Sequence, residues 1–186
     1  GKPIQEFAIG GQELWIDRIC LLTGDPNEGE PMVDCVEFEE LNLADVYGVG
    51  DVFSVANSDG SLKFDAKVGG FGISGAGSAT VENGGKAGAM GQELRVDNVT
   101  VSFKTVTPAP DGLLIHFGEY GGTISFSVNG SMINADNFQD LDGQTAGGIT
   151  LSVPMGGNGN DTGILEIHGK PIQEFAIGGQ ELWIDR

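Results

Sequence analysis

Apolar residues recur at every second position over most of the chain. Leu62 and Phe64 alternate with Lys63 and Asp65, and Val99, Val101 and Phe103 alternate with Thr100 and Ser102. Ile124, Phe126 and Val128 alternate with Ser125 and Ser127, and Ile149, Leu151 and Val153, then Leu165 and Ile167, keep the same habit. A period of two sends neighbouring side chains to opposite faces, so each run predicts a strand with one buried face. The runs are rich in β-branched and aromatic residues. They are separated by turn chemistry at Asn57-Ser58-Asp59-Gly60, Asn83-Gly84-Gly85, Pro110-Asp111-Gly112, Asn129-Gly130 and Asp142-Gly143, residues that tolerate positive φ where a chain reverses. Val36–Val46 reads as an alternating strand with one bulge, with a short helix as the competing reading, and Gln139–Ala146 has room for a single helical turn. The fold class this predicts is all-β: a β-sandwich of the jelly-roll or immunoglobulin-like kind, with a short β-solenoid as the alternative.

The alternation breaks twice in the same way. Leu14 and Ile16 share one parity while Ile19 and Leu21 share the other, and Leu94 and Val96 stand in the same relation to Val99 and Val101. A strand that changes its buried face needs a bulge or a corner, here after Asp17 and after Asp97. The two places are related in sequence: Gly11–Leu21 reads GQELWIDRICL and Gly91–Val101 reads GQELRVDNVTV, with Trp15 replaced by Arg95. A second repetition is complete. Gly1–Arg18 and Gly169–Arg186 are both GKPIQEFAIGGQELWIDR. The chain therefore divides into a strand segment (1–18), a β-domain with a two-fold internal echo (19–168) and an identical copy of the first segment (169–186).

One sheet position cannot hold both copies of a segment, and the surplus strand carries unpaired N–H and C=O groups that seek a sheet edge. The edge that fits best is the equivalent one in another copy of the chain, a head-to-tail contact that need not close. In this respect the ends of the chain resemble subunits of chaperone–usher-type pili and other donor-strand-exchange fibres, in which each subunit lends a terminal extension to its neighbour. The resemblance rests on the duplicated segment and not on a family motif. It implies a secreted or cell-surface structural subunit, with copies of itself as partners in a homopolymer. The apolar residues that would fill the neighbour's groove are Phe7, Ile9, Leu14, Trp15 and Ile16, or Phe175, Ile177, Leu182, Trp183 and Ile184, with Gly10-Gly11 as a flexible break. The alternative is a tandem-repeat surface adhesin that binds carbohydrate, with an exposed tryptophan stacking on sugar, or Ca²⁺.

Charge narrows the partners. The formal net charge is −18 and the sequence pI about 4.1, which sets aside nucleic acid and anionic membrane surfaces, since both are gripped by clustered Lys and Arg. A content of 39% hydrophobic residues supports a packed core, and no apolar run approaches a transmembrane segment. Cys20 and Cys35 in an acidic, strand-rich chain point to a disulfide and an oxidising compartment.

Candidate chemistry is sparse. Asp136, Asp140 and Asp142 form the acidic turn cluster best placed to offer oxygen ligands to Ca²⁺, although the spacing is not that of an EF-hand, and solvated turns are the simpler reading. Two histidines, His116 and His168, do not make a zinc site. Gly72–Gly77 falls short of a nucleophile elbow or a phosphate loop, and carboxylate pairs such as Glu39/Glu40 are too common to mark hydrolysis. No enzymatic activity is expected. Asn98-Val99-Thr100, Asn129-Gly130-Ser131 and Asn160-Asp161-Thr162 match the glycosylation triplet.

Overall fold

Strands succeed one another with short connections: β1 (Phe7–Gly11), β2 (Glu13–Leu21), β3 (Cys35–Val36), β4 (Val46–Gly48), β5 (Val52–Ala56), β6 (Lys63–Gly70), β7 (Ser78–Glu82), β8 (Glu93–Asp97), β9 (Val99–Thr105), β10 (Gly112–Gly121), β11 (Ile124–Val128), β12 (Ser131–Ala135), β13 (Thr145–Ala146), β14 (Ile149–Met155), β15 (Asp161–His168), β16 (Glu174–Gly179) and β17 (Leu182–Asp185). The computed structural model describes residues 7–11, 13–21, 35–71, 77–88, 91–107, 109–169, 172, 174–179 and 182–185; for Phe7, Ile9, Trp15, Ile177, Leu182 and Ile184 it describes strand position and register. Among the described residues there is no α-helix, and none long and apolar enough to cross a membrane. A single 3-10 turn, Phe138–Leu141, falls where the sequence left room for one, with Asn137 and Asp140 reciprocally capping its start.

The protein is all-β. The strands form a six-stranded sheet in the order β1-β11-β16-β9-β6-β5 and a ten-stranded sheet along the path β13-β14-β15-β10-β2-β17-β8-β7-β4 with β3 beside β2. One apolar cluster joins them, with Phe64, Val68, Val101, Phe103 and Phe126 from the first sheet and Leu94, Val96, Ile115, Leu151 and Ile167 from the second. Among the described residues every strand pairing is antiparallel except those between the two copies of the terminal segment. This is sandwich architecture and not the parallel coil of a solenoid. The predicted turns carry the reversals: Asn129 and Gly130 have φ of 51° and 74°, and Gly60, Gly85 and Gly143 are likewise positive.

Both parity breaks have structural causes. Asp17 is the extra residue of a bulge in β2, since Arg18 pairs with His116 while Ile16 pairs with Phe117. After Asp97 the chain turns a corner at Asn98 (φ 52°) and passes from the ten-stranded sheet into the six-stranded one. The terminal segment changes sheets too: β1 and β16 lie in the six-stranded sheet and β2 and β17 in the ten-stranded one, either side of Gly10-Gly11 and Gly178-Gly179.

The strand reading of Val36–Val46 is corrected. Strand β3 stops at Val36, and the chain then coils through Phe38 (φ 44°) and Ala44 (φ 69°) before β4. Long-range carboxylates hold the coil: Glu39 accepts the Gln92 N–H at 2.7 Å and Glu40 the Ala56 N–H at 2.6 Å, while buried Phe38 anchors it to the core.

Candidate strand-acceptor site

The two copies of the terminal segment address the same partners. In the six-stranded sheet Ile9 and Ile177 are both in register with Phe126, and Gly10 and Gly178 with Ser125. Both copies also reach β9, at Ala8–Ser102 and Glu174–Lys104. In the ten-stranded sheet Leu14 and Leu182 are both in register with Glu119, and Trp15 and Trp183 with Gly118. The copies are also in register with each other, from Phe7–Phe175 to Gly11–Gly179 and from Leu14–Leu182 to Ile184–Ile16. A strand has two hydrogen-bonding edges, and strands that each pair with the same neighbours and with one another do not fit one pleated layer. The two copies are thus placed at one shared slot crossing both sheets, bordered by β11 and β9 in one layer and by β10 and β8 in the other.

The slot is apolar on its inner face. Phe175 is fully buried, stacked on Phe103 at 4.5 Å between ring centroids and edge-on to Phe64 at 5.2 Å. Leu14 and Ile16 are also fully buried in the shared core. Across from Leu14 stands an exception, the fully buried Glu119. Its Oε2 accepts the Phe138 N–H at 3.1 Å, and its Oε1 has no hydrogen-bond partner among the described residues. Burial pushes this carboxyl up to about 8; the Phe138 N–H opposes the shift, and the charges of Asp161 and Asp140 add to it.

The outer face of the same strands carries Trp183, half-buried. Its Nε1–H donates to Glu82 at 2.9 Å. Tyr120 meets the indole edge-on at 5.7 Å, Arg95 lies over the ring at 5.0 Å and the Lys86 ammonium at 5.9 Å. Lys86 sits in a loop folded onto the sheet. The carboxylate of Glu93, itself fully buried, accepts the N–H groups of Gly84, Lys86 and Ala87 at 3.0, 2.8 and 3.1 Å. The Tyr120 hydroxyl donates to the Lys86 carbonyl at 3.2 Å, and burial, then Glu93 and Asp161, raise its pKa and keep it a donor. That carbonyl rests against Gly118, where a Cβ would collide with it.

The remaining sequence candidates lie elsewhere. Cys20 and Cys35 are joined by a disulfide, facing each other across β2 and β3 with Cα atoms 4.1 Å apart. Asp136, Asp140 and Asp142 are not assembled into a ligand set: Asp140 caps the 3-10 turn, Asp142 accepts the Val153 N–H, and no group of three or more metal-ligating side chains occurs among the described residues. His168 contacts Glu166 at 2.8 Å at the end of β15, and His116 lies within β10. Asn98, Asn129 and Asn160 all have positive φ, so turn geometry accounts for these asparagines. Of Gly72–Gly77 only Gly77 is among the described residues, packed against the Asp97 backbone. Comparison with known proteins finds no matching family model, no matching curated protein and no matching solved structure.

The duplicated segments are legible in the sequence, and the residues that surround them are not. Glu82, Lys86, Glu93, Arg95, Gly118, Glu119 and Tyr120 carry no spacing motif. Two signals were present: Gly118 interrupts an apolar strand run, a mark of close backbone approach, and Arg95 replaces tryptophan in the internal echo.

Proposed function

We propose that this protein is a secreted structural subunit that assembles head to tail by donating a terminal strand to the sheets of a neighbouring copy, as the building unit of an extracellular filament. The observation that supports this reading is the common register of the two identical segments on one acceptor slot. A chain with one slot and two equivalent strands has one strand to give. The duplicate is matched to an equivalent slot in every residue, so donation in trans reproduces the contacts made in cis. The Cys20–Cys35 disulfide accords with an oxidising, extracellular setting.

The test uses two truncations, one lacking residues 1–18 and one lacking 169–186, followed by light scattering and negative-stain microscopy over a concentration series. Filaments from the chain without 169–186, with the full chain shorter or monomeric, support an N-terminal donor and a C-terminal copy that closes the slot. Folded monomers from both truncations at every concentration refute strand exchange.

A further inference from the structure

We propose that Glu82, Lys86, Arg95 and Tyr120 form an indole-recognition subsite, the place where the acceptor sheet selects a tryptophan-bearing donor strand and fixes its register, whether that strand belongs to the same chain or to a second copy. The proposal rests on the strand-donation reading and names the residues that make donation specific.

The subsite is built, not incidental. The outer face of a sheet ordinarily meets solvent, yet here Glu93 holds a loop down on it with three N–H bonds. Gly118 clears the space that the loop's Lys86 carbonyl occupies. The Arg95 guanidinium is held over the indole by ion pairs to Glu82 at 3.5 Å and Asp97 at 3.4 Å, and among the described residues its buried Nε has no hydrogen-bond partner. The pocket uses every distinguishing feature of an indole: the N–H for Glu82, the π face for Arg95 and Lys86, and the ring edge for Tyr120. Leucine or phenylalanine leaves the Glu82 acceptor without that donor.

The chain has two tryptophans, Trp15 and Trp183, at equivalent positions of the two copies and both in register with Gly118. A slip of two residues keeps the same face but brings Glu13 or Asp17, or Glu181 or Asp185, to the pocket. Each replaces the indole by a carboxylate, which has no N–H to offer Glu82 and no ring for Tyr120 to pack against, so a slipped register loses the contacts that the pocket makes.

The experiment uses the full chain with a single reporter, Trp15→Phe or Trp183→Phe, and reads the emission maximum and acrylamide quenching of the remaining tryptophan. The expected result is a protected, blue-shifted indole in both chains. Tyr120→Ala should raise the quenching constant by about threefold to tenfold, the effect of one lost ring contact or hydrogen bond. Glu82→Gln, a conservative change at a half-exposed side chain, should raise it less and serves if Tyr120→Ala does not fold. Tryptophans as quenchable as a free tryptophan amide in both chains, or protection unmoved by substitution in folded protein, overturn the subsite; assembly of the same chains would then leave strand donation standing. Protection in Trp15→Phe but not in Trp183→Phe overturns both, because the pocket would serve the C-terminal segment alone. Protection in both chains with no assembly by any truncation keeps the subsite as a self-closing anchor and rejects donation.

Discussion

Replacing Glu119 with glutamine should remove a large part of the pH dependence of this protein's stability. The side chain is fully buried opposite Leu14, one carboxyl oxygen has no partner among the described residues, and burial pushes the pKa up to about 8, against the Phe138 N–H and together with the charges of Asp161 and Asp140. Its folded-state pKa lies above the ordinary value of 4.5. Between these two values the folded state therefore binds a proton that the unfolded state has released. Stability from this group is complete below about pH 4.5 and is lost as pH rises through about 8, at about 1.4 kcal/mol per pH unit. The full span corresponds to about 5 kcal/mol, a large share of a typical domain's ~5–15 kcal/mol. Glu119→Gln keeps an acceptor for the Phe138 N–H and cannot ionise. Urea unfolding of both proteins from pH 4 to 9 should give similar free energies at the acid end and curves that diverge upward for the variant. The other acidic groups contribute to both proteins and cancel in the difference. Parallel curves would refute the argument, because they would mean that Glu119 is hydrated or paired in the folded protein.

Phe7 and Phe175 should be strongly non-additive. If the copies compete for one slot, Phe175→Ala alone should cost less than about 1 kcal/mol, since the other copy supplies its phenylalanine, while Phe7→Ala with Phe175→Ala should cost the ~3–5 kcal/mol of an emptied aromatic site; additive losses by urea unfolding argue against a shared slot. Reducing the Cys20–Cys35 disulfide, which spans 15 residues, should lower stability by about 3 kcal/mol through the freedom returned to the unfolded chain, measured as the shift in urea midpoint with and without reductant; an unchanged midpoint would show that the bridge does not constrain the unfolded ensemble.

Local pattern carried most of the fold. The alternation at Val99–Phe103 matches the residues that face the core, and the parity breaks after Asp17 and Asp97 located a bulge and a sheet-changing corner, whereas in Ile124–Val128 Ser125 and Ser127 are buried along with the apolar residues because both faces of that strand are covered. These features are legible because side-chain direction in a strand is set by the neighbouring residue. What was illegible depends on distant partners. The Val36–Val46 segment alternates well enough to be a strand, but Glu39 and Glu40 reach Gln92 and Ala56 and satisfy a coil instead. Glu93 and Glu119 look like any acidic residue in a strongly acidic chain, and only the assembled sheets show them to be buried. The pocket around Trp183 gathers Glu82 from across 101 residues, which no spacing rule detects.

The energetic weight of the terminal segment bears on how donation would proceed. Phe175 of one copy and Leu14 and Ile16 of the other represent three positions of a single sequence, and all are fully buried. At ~1.5–3 kcal/mol for each buried side chain, these positions alone contribute ~5–9 kcal/mol, as much as the net stability of many domains. The segment also enters both sheets, so its withdrawal opens the six-stranded layer between β11 and β9 and the ten-stranded layer between β10 and β8 together. A chain with an empty slot is then close to its unfolding limit, and exchange by simple departure of one strand would be slow. A second identical copy changes the route. The incoming strand can pair from one end while the resident strand leaves from the other, so the slot is never fully vacated. The break at Gly10-Gly11 and Gly178-Gly179 lets the half in one sheet exchange before the half in the other. On the proposed reading, duplication would both supply a spare strand and lower the barrier to passing it on.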